Sequence, residues 1–120
     1  MKFYQCKDCG TVLILDAPLS CCAEGWTELM ANTTDASGEK HVPVIEQEGG
    51  FVRVKVGSAE HPMLPAHYIT WILLETNQGY QKKALRPGEK PLARFALAEG
   101  ETVVAAYEYC NLHGLWKAEA

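Results

Sequence analysis

No stretch of this sequence is both long and apolar. The longest apolar run, near Trp71 to Leu74, is far too short to cross a bilayer. The opening Met1-Lys2-Phe3-Tyr4-Gln5-Cys6 lacks the apolar centre of a secretion signal. Both observations predict a cytoplasmic chain with no membrane partner. Basic blocks are missing as well, and the formal net charge is −4. That argues against the phosphate-neutralising surface of a DNA or RNA binder. No stretch shows a convincing amphipathic helix, an internal repeat or a low-complexity tract. What remains is ordinary globular composition, 48% hydrophobic and 22% charged, which argues against disorder. A chain of 120 residues has room for one modest domain, or for a small domain with a metal-stapled appendix.

Cysteine is present in an odd number, five. In a chain kept reduced this argues against a disulfide framework and for metal ligation. Four of the five fall early, as Cys6-x2-Cys9 and the adjacent pair Cys21-Cys22, and the last is isolated at Cys110. Two cysteines separated by two residues can reach one ion from a tight turn, and a second pair completes a tetrahedral sulfur site suited to zinc or iron. Adjacent cysteines in an extended chain point opposite ways, so Cys21-Cys22 needs a distorted turn. The alternative is unligated thiols. The early segment has few periodic apolar positions and cannot build a core alone, so a metal would supply folding energy. We expect a cysteine domain over residues 1–31 and a larger domain over 32–120, with the polar Asn32 to Gly38 as the connection.

Beyond Glu39 the pattern becomes short alternating runs. Phe51-Val52-Arg53-Val54-Lys55-Val56 places three valines on one face and two cations on the other, the period of a half-buried strand. Strands are predicted over Tyr68 to Thr76, Gln81 to Leu85, Ala93 to Leu97 and Thr102 to Tyr109. Turns fall at Asn77-Gln78-Gly79, Arg86-Pro87-Gly88 and Glu99-Gly100. Six or seven such strands predict an all-β fold, an immunoglobulin-like antiparallel sandwich.

A second set of ligand types lies in this larger part: His41, His61, His67, Cys110 and His113, each at a predicted strand end or loop. Any one histidine alone is more often a surface or core residue, so the case rests on their joint context. Four imidazoles and a thiolate make one ligand more than structural zinc takes. Iron would hold them and keep a position free for a small molecule. With neutral imidazoles such a site carries roughly +1 when ferrous, which attracts a small anion. Glu39 and Lys40 directly precede His41, and Lys40 is the best-placed local cation for steering an anion, although spacing alone favours a solvated ion pair.

The runs Glu39-Lys40-His41-Val42-Pro43-Val44, His61-Pro62-Met63, His67-Tyr68-Ile69-Thr70-Trp71-Ile72 and Tyr107-Glu108-Tyr109-Cys110-Asn111-Leu112-His113-Gly114-Leu115-Trp116-Lys117 resemble the superoxide reductase family. The early cysteines resemble the desulforedoxin-like domain of its desulfoferrodoxin type. The resemblance implies a catalytic iron with His41, His61, His67 and His113 around it and Cys110 on its axis. It implies a lysine beside the substrate at Lys40 and a glutamate that caps ferric iron at Glu39. It implies a second iron or zinc at Cys6, Cys9, Cys21 and Cys22, with a shorter stretch between Cys9 and Cys21 than is usual. The implied reaction is one-electron reduction of superoxide to hydrogen peroxide, with a rubredoxin-like electron donor and a homodimeric assembly. Two readings from other classes compete: an electron carrier without catalysis, and a zinc-stabilised binding module whose histidines are incidental.

Overall fold

A computed structural model describes all 120 residues, and the chain divides into two compact units, Met1–Met30 and Ala31–Ala120. In the first, β1 (Lys2–Cys6), β2 (Val12–Leu15) and β3 (Trp26–Glu28) form an antiparallel sheet in the order β2-β1-β3. A 3-10 turn at Ala23–Gly25 precedes β3. The β1–β2 turn closes through Gly10 N–H to Cys6 O at 3.0 Å and Cys6 N–H to Thr11 O at 2.9 Å. Gly10 sits at φ 76, where a side chain would be strained. Phe3 and Tyr4 are the buried apolar residues of this unit. The sheet is an addition to what the sequence predicted, because its strands lack clean alternation.

The second unit starts from α1 (Gly38–His41), a single helical turn. Seven strands follow: β4 (Pro43–Glu48), β5 (Phe51–Val56), β6 (Ile69–Thr76), β7 (Gly79–Ala84), β8 (Leu92–Ala96), β9 (Val103–Cys110) and β10 (Gly114–Glu119). They form two antiparallel sheets, β10-β9-β6-β7 and β4-β5-β8. The architecture is an all-β, immunoglobulin-like sandwich, as the alternating runs predict. Strand limits differ from the predicted ones by one or two residues, and β4 and β10 are additions.

The core forms where the inward faces meet. Val52, Val54, Val56 and Phe95 of one sheet pack with Ile69, Ile72, Leu74, Ala106 and Cys110 of the other. On the outer face of β5, Arg53 lies opposite Glu46 and donates to its carboxylate at 2.8 and 3.0 Å. That exposed pair orders the surface more than it stabilises the fold. One end of the sandwich gathers the start of β4 against the end of β5 (Pro43 opposite Val56). The start of β6 meets the end of β9 there (Ile69 opposite Cys110), and Cys110 in turn faces Gly114 of β10. A register irregularity between Ile69 and Trp71 interrupts the β6–β9 ladder at this end.

Candidate metal centre

Short segments at that end carry the five candidate ligands. His41 closes α1, His61 and His67 lie between β5 and β6, Cys110 ends β9, and His113 lies in the tight turn into β10. Gly114, at φ 77, follows His113 and supplies the left-handed backbone that turns the chain back. One ligand atom from each of the five residues lies within 4.8 Å of all the others.

The imidazoles form a closed circuit. Ring centroids are 4.7 Å apart for His41 and His61, 4.6 Å for His61 and His67, 5.0 Å for His67 and His113, and 4.8 Å for His113 and His41. Each of these neighbouring pairs is edge-on, while His41 and His67 face across the circuit at 6.5 Å. Cys110 is fully buried, and its Sγ lies 3.6 Å from His61 Nε2 and 3.8 Å from His113 Nδ1.

Tautomers follow from the outer partners. His41 Nδ1 lies 2.7 Å from Ser37 O, and His61 Nδ1 lies 2.7 Å from Pro62 O. A carbonyl only accepts, so each Nδ1 carries the proton and each Nε2 presents a lone pair inward. Those two Nε2 atoms are 3.2 Å apart, and His41 Nε2 is 3.1 Å from His113 Nδ1. The facing Nε2 lone pairs of His41 and His61 repel unless a cation lies among them. His67 Nε2 is buried with no hydrogen-bond partner, a second sign that the cluster is built around a cation. Nitrogens bound at about 2.1 Å and at right angles lie roughly 3.0 Å apart, which matches the observed separations. The donor set therefore fits an iron centre.

Electrostatics agree. Burial pushes His41, His61 and His67 below the ordinary imidazole value, His61 to about 4, so they are neutral and free to ligate at neutral pH. Burial pushes the Cys110 thiol up, so a bound cation is what would hold it as thiolate.

The sequence reading did not single out three supporting residues. Trp116 stacks on His41 at 4.7 Å and donates Nε1–H to His113 O at 3.1 Å. Asn111 ties the Cys110 turn to the His67 segment. Glu108 is fully buried, neither carboxyl oxygen has a hydrogen-bond partner, and burial pushes it up to about 9. Its signal was parity: two residues before Cys110 on one strand, it shares the buried face.

Glu39 and Lys40 have exposed side chains on α1, and the Lys40 charge acts on both His41 and His67. Their backbone is clamped: Glu39 O accepts from Ala59 N–H at 2.9 Å and from Ser58 Oγ at 3.2 Å. Gly57 underlies this contact, since a Cβ there would meet Glu39 O at 2.5 Å.

The early cysteines are not brought together like the five residues of the second set. Cys6 Sγ accepts from Cys9 N–H at 3.4 Å, and Cys9 Sγ lies 3.1 Å from Thr11 Oγ1. Cys21 and Cys22 are exposed, and Cys22 adopts a left-handed φ of 58, a break from the extended chain.

Comparison with known proteins gives a consistent result. The desulfoferrodoxin family profile matches residues 33–119. A desulfoferrodoxin from Clostridium acetobutylicum is 43% identical over 99% of this chain and 96% of its own length. One from Desulfarculus baarsii is 45% identical over the same shares. The crystal structure of the superoxide reductase from Treponema pallidum superposes with a TM-score of 0.83 at 40% identity, covering 99% of this chain and all of that one. The superoxide reductase (1Fe-SOR) from Giardia intestinalis covers 68% of this chain and 97% of its own, with a TM-score of 0.59 at 33% identity. With the five candidate ligands gathered and the match running through nearly the whole sequence, the chain belongs to the desulfoferrodoxin family.

Proposed function

We propose that this protein is a superoxide reductase acting at an iron held by His41, His61, His67, His113 and Cys110. The observation that carries the proposal is the convergence of four imidazole nitrogens and one buried sulfur in a chain of this family. Held by these five residues, iron would supply one electron to superoxide, whose conversion to hydrogen peroxide also takes two protons. The chain's own part is positional. Ser37 O and Pro62 O fix the rings of His41 and His61, and Trp116 backs His41 and holds the His113 carbonyl. Cys110 enters from the core, which keeps water from the sulfur.

Lys40 draws the anion to the site and helps bring protons to it, because it is the cation whose field reaches His41 and His67. Glu39, its neighbour on α1, closes the open face between turnovers. A rubredoxin-like protein returns the electron. We assign residues 1–31 as a desulforedoxin-like domain whose Cys6, Cys9, Cys21 and Cys22 hold iron or zinc in an auxiliary role, and residues 32–120 as the catalytic domain. A cytoplasmic homodimer is the assembly that follows from the family.

Pulse-generated superoxide provides the test. Iron-loaded protein is expected to consume it at roughly 10⁸ to 10⁹ M⁻¹s⁻¹, near the diffusional ceiling. Cys110→Ser is expected to remove the thiolate-to-iron absorption band and this activity together. Full activity in that variant would overturn the assignment, and a slow parent protein carrying the band would point to an electron carrier instead.

A further inference from the structure

The four imidazoles are held in different ways. The rings of His41 and His61 are locked by a carbonyl behind each Nδ1, at 2.7 Å in both cases. His113 is tied by its short spacing from Cys110 and by the Trp116 indole on its carbonyl. His67 has neither device: its Nε2 faces the cluster without a partner, and no hydrogen bond holds its ring.

What is ordered around His67 is its backbone. Leu64 and His67 exchange reciprocal N–H to O bonds of 2.9 and 3.0 Å, so the turn between them closes on itself. Beyond the pairing of Ile69 with Cys110, its attachment to the rest of the site comes from Asn111. Asn111 Oδ1 accepts from Tyr68 N–H at 2.9 Å, and Asn111 Nδ2 donates to Ala66 O at 3.0 Å. The amide thus grips the peptide groups on both sides of His67. The Asn111 backbone N–H adds a bond to Tyr68 O at 3.2 Å. Asn111 directly follows Cys110, so the grip fixes a histidine ligand relative to the sulfur.

We propose that Asn111 is the positioning residue for His67: by clamping Ala66 and Tyr68 to the strand end that carries Cys110, it fixes the backbone of an imidazole that has no carbonyl locking its ring. This inference rests on the iron-site reading given above. Partners that orient metal ligands typically contribute 10- to 100-fold in metal affinity, and here the partner acts through backbone rather than through the ring. Asn111 is exposed, so removing its amide leaves no cavity in the core.

The experiment compares the parent with Asn111→Ala, Asn111→Asp and His67→Ala. Three quantities are read: iron(II) affinity by anaerobic chelator competition, the position of the thiolate-to-ferric band, and the melting midpoint of the metal-free protein. Asn111→Ala is expected to weaken iron(II) binding about 10- to 100-fold and to move the band in the same direction as His67→Ala. Asn111→Asp keeps the acceptor for Tyr68 N–H and loses the donor to Ala66 O, so it should fall between Asn111→Ala and the parent. A residue that merely supported the loop would lower the melting midpoint and leave the band in place. The inference is overturned if Asn111→Ala keeps the parent's affinity and band while His67→Ala loses them. Should Asn111→Ala fail to fold, an unchanged affinity and band in Asn111→Asp overturns it equally. If His67→Ala also matches the parent, what fails is the assignment of His67 as a ligand.

Discussion

In the sandwich unit Cys110 is fully buried in a core of valines, isoleucines and Phe95, and four histidines already surround it. In Met1–Met30 the sulfurs of Cys9, Cys21 and Cys22 are exposed, on a sheet with only Phe3 and Tyr4 buried. The histidine and Cys110 set is assembled by apolar packing, which tolerates clustered lone pairs because the surrounding strands cannot relax away. The early cysteine set sits on too little buried surface to hold four thiolates together. A metal entering the sandwich finds a prepared site, whereas one entering the cysteine unit must contribute much of that unit's folding energy.

Cys6→Ser tests this contrast with the largest expected effect. A structural ion contributes on the order of 10 kcal/mol to folding a small cysteine domain, so removing one ligand should cost residues 1–30 most of their ordered structure. Amide hydrogen exchange should show protection lost over β1 to β3 and kept over the seven strands of the sandwich. Superoxide consumption should persist. Retained protection in the first sheet would break the comparison, because that unit would then be stable on packing alone.

The contrast also explains what could be read in advance. Phe51–Val56 announces itself because Val52, Val54 and Val56 are buried while Arg53 and Lys55 face out. In Lys2–Cys6 the two buried residues, Phe3 and Tyr4, are adjacent, and in Val12–Leu15 all four are half-buried, so no period of two is visible. The same holds for β10, where Leu115 and Trp116 are both buried. The site was legible as a set of ligand types, and resemblance supplied its chemistry. The Asn111 clamp was not legible, because it joins segments more than forty residues apart in sequence.

Glu108 marks a cost carried only by the prepared side. Its carboxyl keeps its proton up to about 9 in the fold, against an ordinary value of 4.5. Above the ordinary value the unfolded chain has released this proton and the folded chain has not. Stability therefore falls as pH rises, and the contribution is fully present only below 4.5. At pH 7 the loss amounts to about 3 kcal/mol. The buried histidines have the opposite sign, since their lowered values make stability fall as pH drops below the ordinary imidazole range. Urea unfolding of metal-free protein between about pH 7 and 8 therefore isolates the glutamate, because the raised Cys110 thiol adds a slope of the same sign only as pH nears its ordinary value of 9.0. Glu108→Gln should flatten the pH dependence there, and an unchanged slope would mean that Glu108 is ionised in the fold.

The smallest expected effect concerns the exposed rim of the site. A chain of net charge −4 repels an anion at long range, so attraction must come from a local cation. Lys40 is held in place by its backbone: Ser58 and Ala59 fix the neighbouring Glu39 carbonyl, and Gly57 leaves room for that contact. The ammonium itself stays in water, where salt screens it within about 10 Å at 0.1 M. Lys40→Ala should therefore slow superoxide consumption by about tenfold at low ionic strength and by less as salt rises. Iron content and the thiolate band should be unchanged, because Lys40 is not a ligand. A rate equal to the parent's at low salt would remove Lys40 from the mechanism. A lost band would show instead that the α1 turn, and His41 with it, depends on this side chain, so that this part of the site is less prepared than the buried Cys110 side.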